Sequence, residues 1–347
     1  MIKFVKGNEA VVVGALYAGC DAFFGYPITP ASEIAHAASE YFPAVGREFL
    51  QAECETASIN MVYGAASAGK LAMTASSGPG ISLMQEGLSY MAGAELPGVI
   101  INIQRAGPGL GNVYPEQGDY NQAVKGGGHG NYQSLVLAPG NVQEMCDLTI
   151  KAFELAFRYR NPVIVLADAV LGQMMETLRL PDHEAPRPDT RSWAVQATPE
   201  TRDHLITSIY LNASMQEEHN QKLQDKYASM QGEALAETYR LEDATIVLAG
   251  YGISSRIART AVDTLREKGV PAGLFRPLTL YPFPREALRR AAEGRTLVAV
   301  ELSRGQFRDD LAFQLGRTAE SIPLVNRMGG MLIPVDQLVD RVLALPG

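Results

Sequence analysis

Three short apolar segments near the start of the chain each end on a polar turn. They span residues 21–25, 71–75 and 98–104, and they are followed by Tyr-Pro-Ile-Thr-Pro, by Ser-Ser-Gly-Pro-Gly and by Arg105. Such segments alternate with helical patterns up to about residue 180, which predicts an α/β fold whose parallel sheet is covered on both faces. Ligands bind beyond the carboxyl ends of the strands in such sheets, so we expect the three turns to border one site.

Glu55 is a carboxylate on the apolar side of a predicted helix. Helical spacing places it on the same stripe as Ile59, Val62 and Ala66. Burying a carboxylate is unfavourable unless another group pairs with it, because desolvation disfavours the charged form. Two interpretations follow. Glu55 either complements the positive N-terminal end of its helix, or it is an acid aimed into a dry crevice.

Thr29 and Arg105 are the other polar candidates at these strand ends. Pro27 and Pro30 favour extended backbone in the residues that precede them, so Thr29 is expected in a rigid, non-helical loop. A ligand at this edge must then suit a hydroxyl, a guanidinium and a buried carboxylate. The alternatives are a threonine that caps a turn and an arginine that is paired at the surface.

Several motifs, in their order and spacing, resemble the alpha chain of 2-oxoacid:ferredoxin oxidoreductases. The motifs are GYPITP at 25–30, ETASINMVYGAASAG at 55–69, TASSGPG at 74–80 and INIQRAGPG at 101–109. Three further segments resemble the branched-chain, or 3-methyl-2-oxobutanoate, branch of this family: QAVKGGGHGNY at 122–132, HNQKLQDKY at 219–227 and MGGMLIP at 328–334. The resemblance covers nearly the whole chain. It implies a pyrimidine-binding domain for thiamine diphosphate, followed by an α/β domain like the C-terminal domain of transketolases.

The resemblance implies that Glu55 lies against N1′ of the cofactor's aminopyrimidine. Glu55 matches the family position rather than Glu53, because it stands nine residues before Gly64. A carboxylate bonded to N1′ favours the imino tautomer, whose nitrogen can accept the C2 proton of the thiazolium. The apolar stripe would exclude water from the site, and a hydrogen bond is stronger where water is excluded. The catalytic candidate is therefore Glu55.

The resemblance also implies the groups that hold the substrate. Thr29 matches a threonine that hydrogen-bonds the 2-oxoacid, and Arg105 matches the arginine that holds its carboxylate, a task suited to a planar fork of donors. The further contacts to the cofactor that the resemblance implies are made by Tyr26, Pro27, Ser77 and Gly78.

Part of the family's equipment is missing from the sequence. There is no Gly-Asp-Gly motif, with which family partners bind the cofactor's diphosphate and Mg²⁺. Cys20, Cys54 and Cys146 show no C-x-x-C spacing, so no iron–sulfur cluster or other metal site is predicted. The resemblance therefore implies a beta subunit with the diphosphate and Mg²⁺ site, a gamma subunit, a delta subunit with [4Fe-4S] clusters, and ferredoxin, with coenzyme A and a 2-oxoacid as substrates.

Composition agrees with a globular protein of this type. The net charge of −8 argues against binding to nucleic acid or to an anionic membrane surface. The apolar runs are no longer than strands, the first residues show no signal-peptide pattern, and cysteines are few. We therefore expect a cytoplasmic location.

The chain divides into three predicted regions. Residues 1–180 form the pyrimidine-binding domain and end in a helix with the sequence LGQMMETL at 171–178. Residues 181–242 form a proline-rich linker and a polar helical arm, from about 213 to 240, whose thin apolar stripe packs across domains or on a neighbouring subunit. Residues 243–347 form the transketolase C-terminal-like domain, which the resemblance assigns to assembly rather than chemistry. Gly250-Tyr-Gly252 there is either a tight turn or an incomplete dinucleotide fingerprint.

The side chain of the substrate is the least constrained feature. The loop 107–119, with Leu110 and Val113, and the segment from Lys125 to His129 are expected near the tail of the 2-oxoacid, unless this glycine-rich stretch is a loop without a selective role. The match after Arg105 favours a branched-chain substrate over 2-oxoglutarate or an aryl 2-oxoacid. Two alternatives are a self-sufficient thiamine-dependent enzyme and a non-catalytic assembly subunit with the same fold.

Overall fold

The computed structural model describes residues 2–345 and is built around two mainly parallel sheets. The strands of the first sheet, in spatial order, are β12 (Thr279–Tyr281), β6 (Leu135–Leu137), β7 (Pro162–Asp168), β5 (Gly98–Gln104), β4 (Ala72–Ser76), β2 (Ala22–Gly25) and β3 (Glu48–Gln51). The strands of the second sheet are β14 (Leu324–Asn326), β13 (Thr296–Glu301), β10 (Ile246–Ala249), β11 (Ala272–Pro277) and β9 (Ala236–Tyr239).

Helices connect most of the parallel strands. Those of the first part of the chain are α1 (Gly7–Tyr17), α2 (Ser32–Ala44), α3 (Glu55–Ser67), α4 (Pro79–Gly93), α5 (Tyr120–Lys125), α6 (Val142–Tyr159) and α7 (Ala169–Gln173). Those that follow are α8 (Ala213–Ser229), α9 (Gly252–Glu267), α10 (Arg285–Ala292), α11 (Gln306–Leu315) and α12 (Val335–Leu343). Short 3-10 turns lie at Pro199–Thr201, Met230–Glu233 and Ala319–Ser321.

The first sheet is buried on both faces, as its continuous apolar strands predict. All seven residues of β5 are buried, and their side chains alternate between two cores. One core contains α1, α2 and α6, and the other contains α3 and α4. The second core continues into the C-terminal part of the chain through Phe275 and Phe307, so a shared apolar interior joins the two sheets.

The two sheets also exchange strands across the predicted boundary at residue 242. Strand β9 precedes that boundary but pairs with β11 in the second sheet, and β12 follows it but pairs with β6 in the first sheet. The division into three regions stays a prediction. Residue 1 and residues 346–347, at the ends of the outer regions, lie outside the described part of the chain.

The predicted helix at 171–178 is wrong in its second half. Helix α7 ends at Gln173, and Met175–Arg179 forms a strand, β8, that pairs antiparallel with β1 (Ile2–Lys6) at the start of the chain. The helical spacing was misleading, because a long-range partner decides the conformation of this segment. Within residues 2–345, no helix combines the length and hydropathy needed to cross a membrane.

The helical arm is shorter than predicted and packs on its own chain. Helix α8 ends at Ser229, and the residues after it form a 3-10 turn and β9. The thin apolar stripe of the arm consists of Leu223, Tyr227 and Met230, and it is buried in the core that contains α1, α2 and α6. A hydrogen bond of 2.7 Å from His219 Nε2 to the carbonyl oxygen of Gly93 fixes the arm to the end of α4.

Candidate active site

The turns that follow β2, β4 and β5 meet at one edge of the first sheet. These strands lie side by side in the order β5, β4, β2, so their carboxyl ends point the same way. Arg105, directly after β5, donates a hydrogen bond of 2.8 Å to the carbonyl oxygen of Thr29 in the turn after β2. A Cβ placed on Gly78, in the turn after β4, would lie 3.4 Å from Arg105 Cγ. The structure thus brings together all three turns.

Glu55 is the first residue of α3 and is only 5% exposed. Ile59, Val62 and Ala66 are buried on the same side of this helix, as the spacing predicts. The carboxylate lies beside the first turn of α4, where a Cβ on Gly80 would collide with Glu55 Oε1 and with the hydroxyl of Ser76. Among residues 2–345, no group donates a hydrogen bond to this carboxylate, although it is buried.

The hydroxyl groups around Glu55 lack partners as well. The Oγ atoms of Ser76 and Ser77 are buried without a hydrogen bond among the described residues. Buried polar side chains nearly always have a partner in native proteins. The carboxylate and two hydroxyls near the start of α4 form a polar cluster, hereafter the Glu55 cluster, and neither hydroxyl has a hydrogen-bond partner among residues 2–345. A few polar groups in an otherwise apolar pocket can bind and orient the polar atoms of a ligand.

Tyr26, Pro27 and Thr29 lie in the turn after β2, and their side chains are exposed. The contact between Thr29 and Arg105 involves the backbone carbonyl of Thr29, which leaves the threonine hydroxyl free to bind another group. Gly78 has φ +44° and ψ −109°, a backbone conformation that glycine adopts most readily. The side chain of Arg105 crosses the turn at this point, so the absence of a Cβ also gives it room.

Arg105 connects two loops through its guanidinium group. Nη1 contacts Thr29, while Nη2 donates a hydrogen bond of 2.9 Å to the carbonyl oxygen of Leu110. Nε is buried and has no partner among residues 2–345. Arg105 is therefore held by two backbone carbonyls and forms no ion pair with a carboxylate in the part of the chain that the structure describes, so its positive charge is available to an anionic ligand.

A cleft of about 920 Å³ opens next to Arg105, between the two sheets. The first part of the chain contributes Gly78, Arg105, the 107–109 segment, Glu116 and Asp119. Burial raises the pKa of Asp119, although Asn102 donates a hydrogen bond of 3.0 Å to its carboxylate. The cleft has a volume suited to a small-molecule ligand.

The C-terminal part of the chain lines the other side of this cleft. The residues concerned are Ser303, Arg304, Gln306, Met328 and Gly329. These residues were not predicted from the sequence, because the family resemblance assigns this domain to assembly. The MGGMLIP motif at 328–334 was the available signal, since adjacent glycines between two elements indicate a special turn. The second domain therefore forms part of the cleft wall.

The loop 107–119, expected near the substrate tail, lines the cleft at both of its ends, at residues 107–109 and at Glu116, Gly118 and Asp119, but not at its tip. Leu110 and Val113 are 78% and 46% exposed, and neither lines the cleft. Lys125 forms an ion pair of 2.7 Å with Asp310 in a neighbouring groove. The expectation is therefore confirmed for the two ends of the loop and wrong for Leu110, Val113 and Lys125. The physical reason is that the interface with the second domain, which sequence spacing cannot reveal, determines how the loop folds.

Two strand-end residues of the second domain, Arg276 and Glu301, have their partners within the chain. Arg276 is 5% exposed and forms ion pairs with Glu144 and Glu237. Glu301 is fully buried, and its carboxylate accepts hydrogen bonds from the hydroxyl of Ser303 and from the first backbone N–H groups of α11. Both residues stabilise the fold. Within residues 2–345, no three His, Cys, Asp or Glu side chains gather as metal ligands, and the cysteines are free.

Family models match both parts of the chain. Residues 13–237 match the thiamine-diphosphate-binding domain of pyruvate flavodoxin/ferredoxin oxidoreductases, and residues 244–338 match core domain II of pyruvate:ferredoxin oxidoreductase. A ketoisovalerate oxidoreductase subunit, VorB of Methanothermobacter marburgensis, is 60% identical over 99% of this chain and 98% of its own length. A 2-oxoglutarate synthase subunit, KorA of Archaeoglobus fulgidus, is 42% identical over 88% of this chain and 89% of its own length.

Solved structures show the same architecture. A chain of the 2-oxoglutarate:ferredoxin oxidoreductase from Magnetococcus marinus superposes with a TM-score of 0.87 and 27% identity, over 99% of this chain and 65% of that chain. A split-gene transketolase superposes with a TM-score of 0.59 and 14% identity, over 97% of this chain and 95% of that chain. The second likeness concerns the fold alone.

Proposed function

The chain belongs to the pyruvate flavodoxin/ferredoxin oxidoreductase family and is the alpha subunit of a 2-oxoacid:ferredoxin oxidoreductase, and we propose that its substrate is a branched-chain 2-oxoacid. The reaction is CoA-dependent oxidative decarboxylation to an acyl-CoA and carbon dioxide. Identity of 60% to a ketoisovalerate oxidoreductase subunit, against 42% to a 2-oxoglutarate synthase subunit, is the observation that carries the choice of substrate.

Glu55 is the proposed partner of the aminopyrimidine of thiamine diphosphate. The Glu55 cluster fits that group, because it offers a buried carboxylate and two buried hydroxyls, and neither hydroxyl has a hydrogen-bond partner among residues 2–345. When bound, the cofactor supplies a carbon nucleophile that adds to the 2-oxo group and accepts the electron pair left by carbon dioxide. Glu55 holds the pyrimidine and favours the tautomer that can accept a proton.

The remaining proposed contacts to the cofactor lie around the same edge of the sheet. Tyr26 and Pro27 border the site from the exposed turn after β2, while Ser77 and Gly78 border it from the turn after β4. The buried hydroxyl of Ser77 lacks a partner, which supports its place in this set. The exposure of the β2 turn leaves one side of the site open, as expected where another subunit completes it.

Thr29 and Arg105 are the proposed contacts to the 2-oxoacid. The Arg105 guanidinium lies on the cleft and forms no ion pair with a carboxylate of residues 2–345, so it suits the carboxylate common to all 2-oxoacids. The exposed hydroxyl of Thr29, on the turn that accepts a hydrogen bond from Arg105, is the proposed donor to the same substrate. Together they orient the 2-oxo group toward the cofactor.

Partner chains supply the rest of the proposed enzyme. A beta subunit binds the diphosphate through Mg²⁺, since this chain has no Gly-Asp-Gly motif. A delta subunit carries [4Fe-4S] clusters that pass electrons to ferredoxin, and a gamma subunit completes the assembly in the cytoplasm. This chain provides the pyrimidine half of the site and the substrate arginine.

A substrate panel tests the proposal. The complex, purified with its partner chains, is assayed for CoA-dependent reduction of ferredoxin or viologen with aliphatic, aryl and dicarboxylic 2-oxoacids. We expect kcat/KM to be highest for 3-methyl-2-oxobutanoate. Arg304 favours one alternative, because it is an exposed cation on the cleft that could pair with a second carboxylate. A higher kcat/KM for 2-oxoglutarate would select that alternative.

A further inference from the structure

A buried carboxylate, Glu116, joins the loop that follows Arg105 to the second domain. Its side chain is 7% exposed. Oε2 accepts a hydrogen bond of 2.8 Å from the backbone N–H of Gly107, and Oε1 accepts one of 2.8 Å from the backbone N–H of Gly329. The first of these glycines is two residues after Arg105, and the second belongs to the MGG turn (residues 328–330) of the second domain. One side chain thus fixes two segments that are distant in sequence.

The loop is attached to the MGG turn by a second contact. Asn112 Nδ2 donates a hydrogen bond of 3.1 Å to the carbonyl oxygen of Gly329, and its Oδ1 accepts one from the backbone N–H of Tyr114. Gly329 therefore donates its backbone N–H to Glu116 and accepts from Asn112 at its carbonyl oxygen. Gly330 has φ +95°, and a Cβ there would collide with Tyr114, so the turn lies directly against the loop.

The loop in turn determines where the Arg105 guanidinium lies. Arg105 Nη2 is bound to the carbonyl oxygen of Leu110, at the tip of this loop. The loop closes on itself through a 2.9 Å hydrogen bond from Ala106 N–H to the carbonyl oxygen of Tyr114 and a 3.0 Å bond from Asn112 N–H to the carbonyl oxygen of Ala106. Any shift of the loop relative to the second domain therefore moves an acceptor of the guanidinium.

We propose that Glu116 is a positioning residue, which holds the Arg105 loop against the MGG turn so that the guanidinium faces the substrate's carboxylate. The proposal rests on the substrate-binding role proposed for Arg105. Glu116 acts through the loop rather than by touching the substrate. It also gives the second domain a part in substrate binding, since the partner of its Oε1 is a backbone N–H of that domain.

The chemistry of the contact requires a carboxylate. Each oxygen of Glu116 accepts one backbone N–H, so both must be acceptors. Glutamine has the same shape but only one acceptor oxygen, and its amide NH₂ would face one of the two N–H donors. Glu116→Gln therefore breaks one link without opening a cavity, which makes it a sharp test of the link itself.

The test compares Glu116→Gln with Asp310→Asn in the complete complex. Asp310 is also a buried carboxylate between the domains, and it accepts hydrogen bonds from the hydroxyl of Tyr120 at 2.6 Å and from Lys125 at 2.7 Å. It does not contact the Arg105 loop. Both variants weaken the interface between the domains, but only the first releases the loop. Asp310→Asn is thus a matched control for a purely structural effect.

We expect Glu116→Gln to raise KM for every 2-oxoacid by about tenfold, the scale of one charge-assisted hydrogen bond, while kcat changes much less. KM for coenzyme A and the rate of hydrogen–deuterium exchange at cofactor C2 should stay at wild-type values. Backbone amide exchange should rise at Gly107 and Gly329. Asp310→Asn should lower the unfolding temperature and leave KM unchanged. An unchanged KM in Glu116→Gln, or equal KM changes in both variants, would overturn the proposal.

A second variant covers the case in which Glu116→Gln does not fold. Asn112→Asp removes the donor to the carbonyl of Gly329 and keeps the acceptor for Tyr114. A raised KM in this variant supports the positioning role, and a wild-type KM rejects it. Failure of the proposed function can be distinguished from failure of the Glu116 proposal. If the proposed function fails, the wild-type complex oxidises no 2-oxoacid, whereas failure of the Glu116 proposal leaves wild-type turnover and the effect of Arg105 substitution intact.

Discussion

Arg105 Nη1 lies 2.8 Å from the carbonyl oxygen of Thr29 and donates a hydrogen bond to it. The two residues follow β5 and β2, which are not neighbours in the sheet, because β4 lies between them. The arginine therefore extends across the carboxyl end of β4 and passes Gly78, where a side chain would crowd it. This link joins the turns after β2 and β5 across the turn that contains Ser77 and Gly78.

Arg105→Lys should lower kcat/KM for all 2-oxoacids by a similar factor. A lysine ammonium replaces a fork of donors by a point charge and cannot contact both loops in the same geometry. The loss of a charge-assisted contact corresponds to about 1.5–3 kcal/mol, roughly tenfold to a hundredfold in kcat/KM. The measurement is the viologen-linked assay with the substrate panel.

Arg202→Lys is the matched control for this change, because Arg202 is exposed and far along the chain from the cleft-lining residues. It should leave kcat/KM unchanged. If Arg105→Lys abolished turnover of 2-oxoglutarate alone and spared 3-methyl-2-oxobutanoate, the arginine would recognise the tail of the substrate. The branched-chain assignment would then have to be abandoned.

The isolated chain should not bind thiamine diphosphate with micromolar affinity. Most of the cofactor's charge lies on its diphosphate, and the sequence contains no Gly-Asp-Gly motif to hold it. Titration calorimetry of the isolated chain, in the presence of Mg²⁺, should show no saturable binding in that range. The complex with the partner chains should bind. Micromolar or tighter binding by the isolated chain would refute the split-site account.

Asp168 should make folding stability depend on pH. Burial raises the pKa of Asp168 to about 6, although the backbone N–H groups of Val170, Leu171 and Ile253 donate to it. Because its pKa is raised on folding, the folded protein binds more protons between about pH 4 and pH 6. The stability that Asp168 contributes is therefore greatest below this window and is lost as the pH rises through about 6.

Asp168→Asn removes this titration and one acceptor. The loss in free energy of unfolding caused by Asp168→Asn should be smaller at pH 7 than at pH 4, by up to about 3 kcal/mol. The reason is that the wild type itself loses stability over that range. Unfolding in denaturant at several pH values measures the difference. Asp340→Asn, at an exposed carboxylate on α12, is the control and should show no such trend. A pH-independent difference for Asp168→Asn contradicts the assignment.

Features with a strong local signal were predictable from the sequence. The segment 98–104 is apolar throughout and is strand β5 with the same bounds. The stripe shared by Glu55, Ile59 and Val62 follows from helical spacing and is buried in α3. Strand ends in a parallel sheet share one edge, which is why Thr29 and Arg105 could be placed together before the structure was known.

Features that depend on distant partners were not predictable. Met175–Arg179 shows a helical pattern but is a strand, because it pairs with residues 2–6. The cleft wall formed by Arg304 and Met328 arises from packing between the two sheets. The spacing of residues along the sequence does not predict this packing. The same packing turns Leu110 and Val113 away from the cleft. The sequence predicted the edge of the sheet on which the site lies but not the opposite wall.

Glu55→Gln tests the central claim, that this chain supplies the acid that activates the cofactor. Glutamine keeps the volume of the side chain and is less costly to bury, so folding and assembly should survive. Glu53→Gln, two residues earlier at an exposed position, is the matched control. Both variants are compared with the wild type in the complete complex, with the unfolding temperature as a check on the fold.

The decisive measurement is the rate of hydrogen–deuterium exchange at C2 of thiamine diphosphate bound to that complex. Exchange requires neither substrate nor electron transfer, so it isolates the step that Glu55 serves. We expect Glu55→Gln to slow the exchange by roughly two to four orders of magnitude, the range for a lost general acid–base element, and Glu53→Gln to leave it unchanged. An unchanged rate in Glu55→Gln would contradict the account and remove Glu55 from the mechanism.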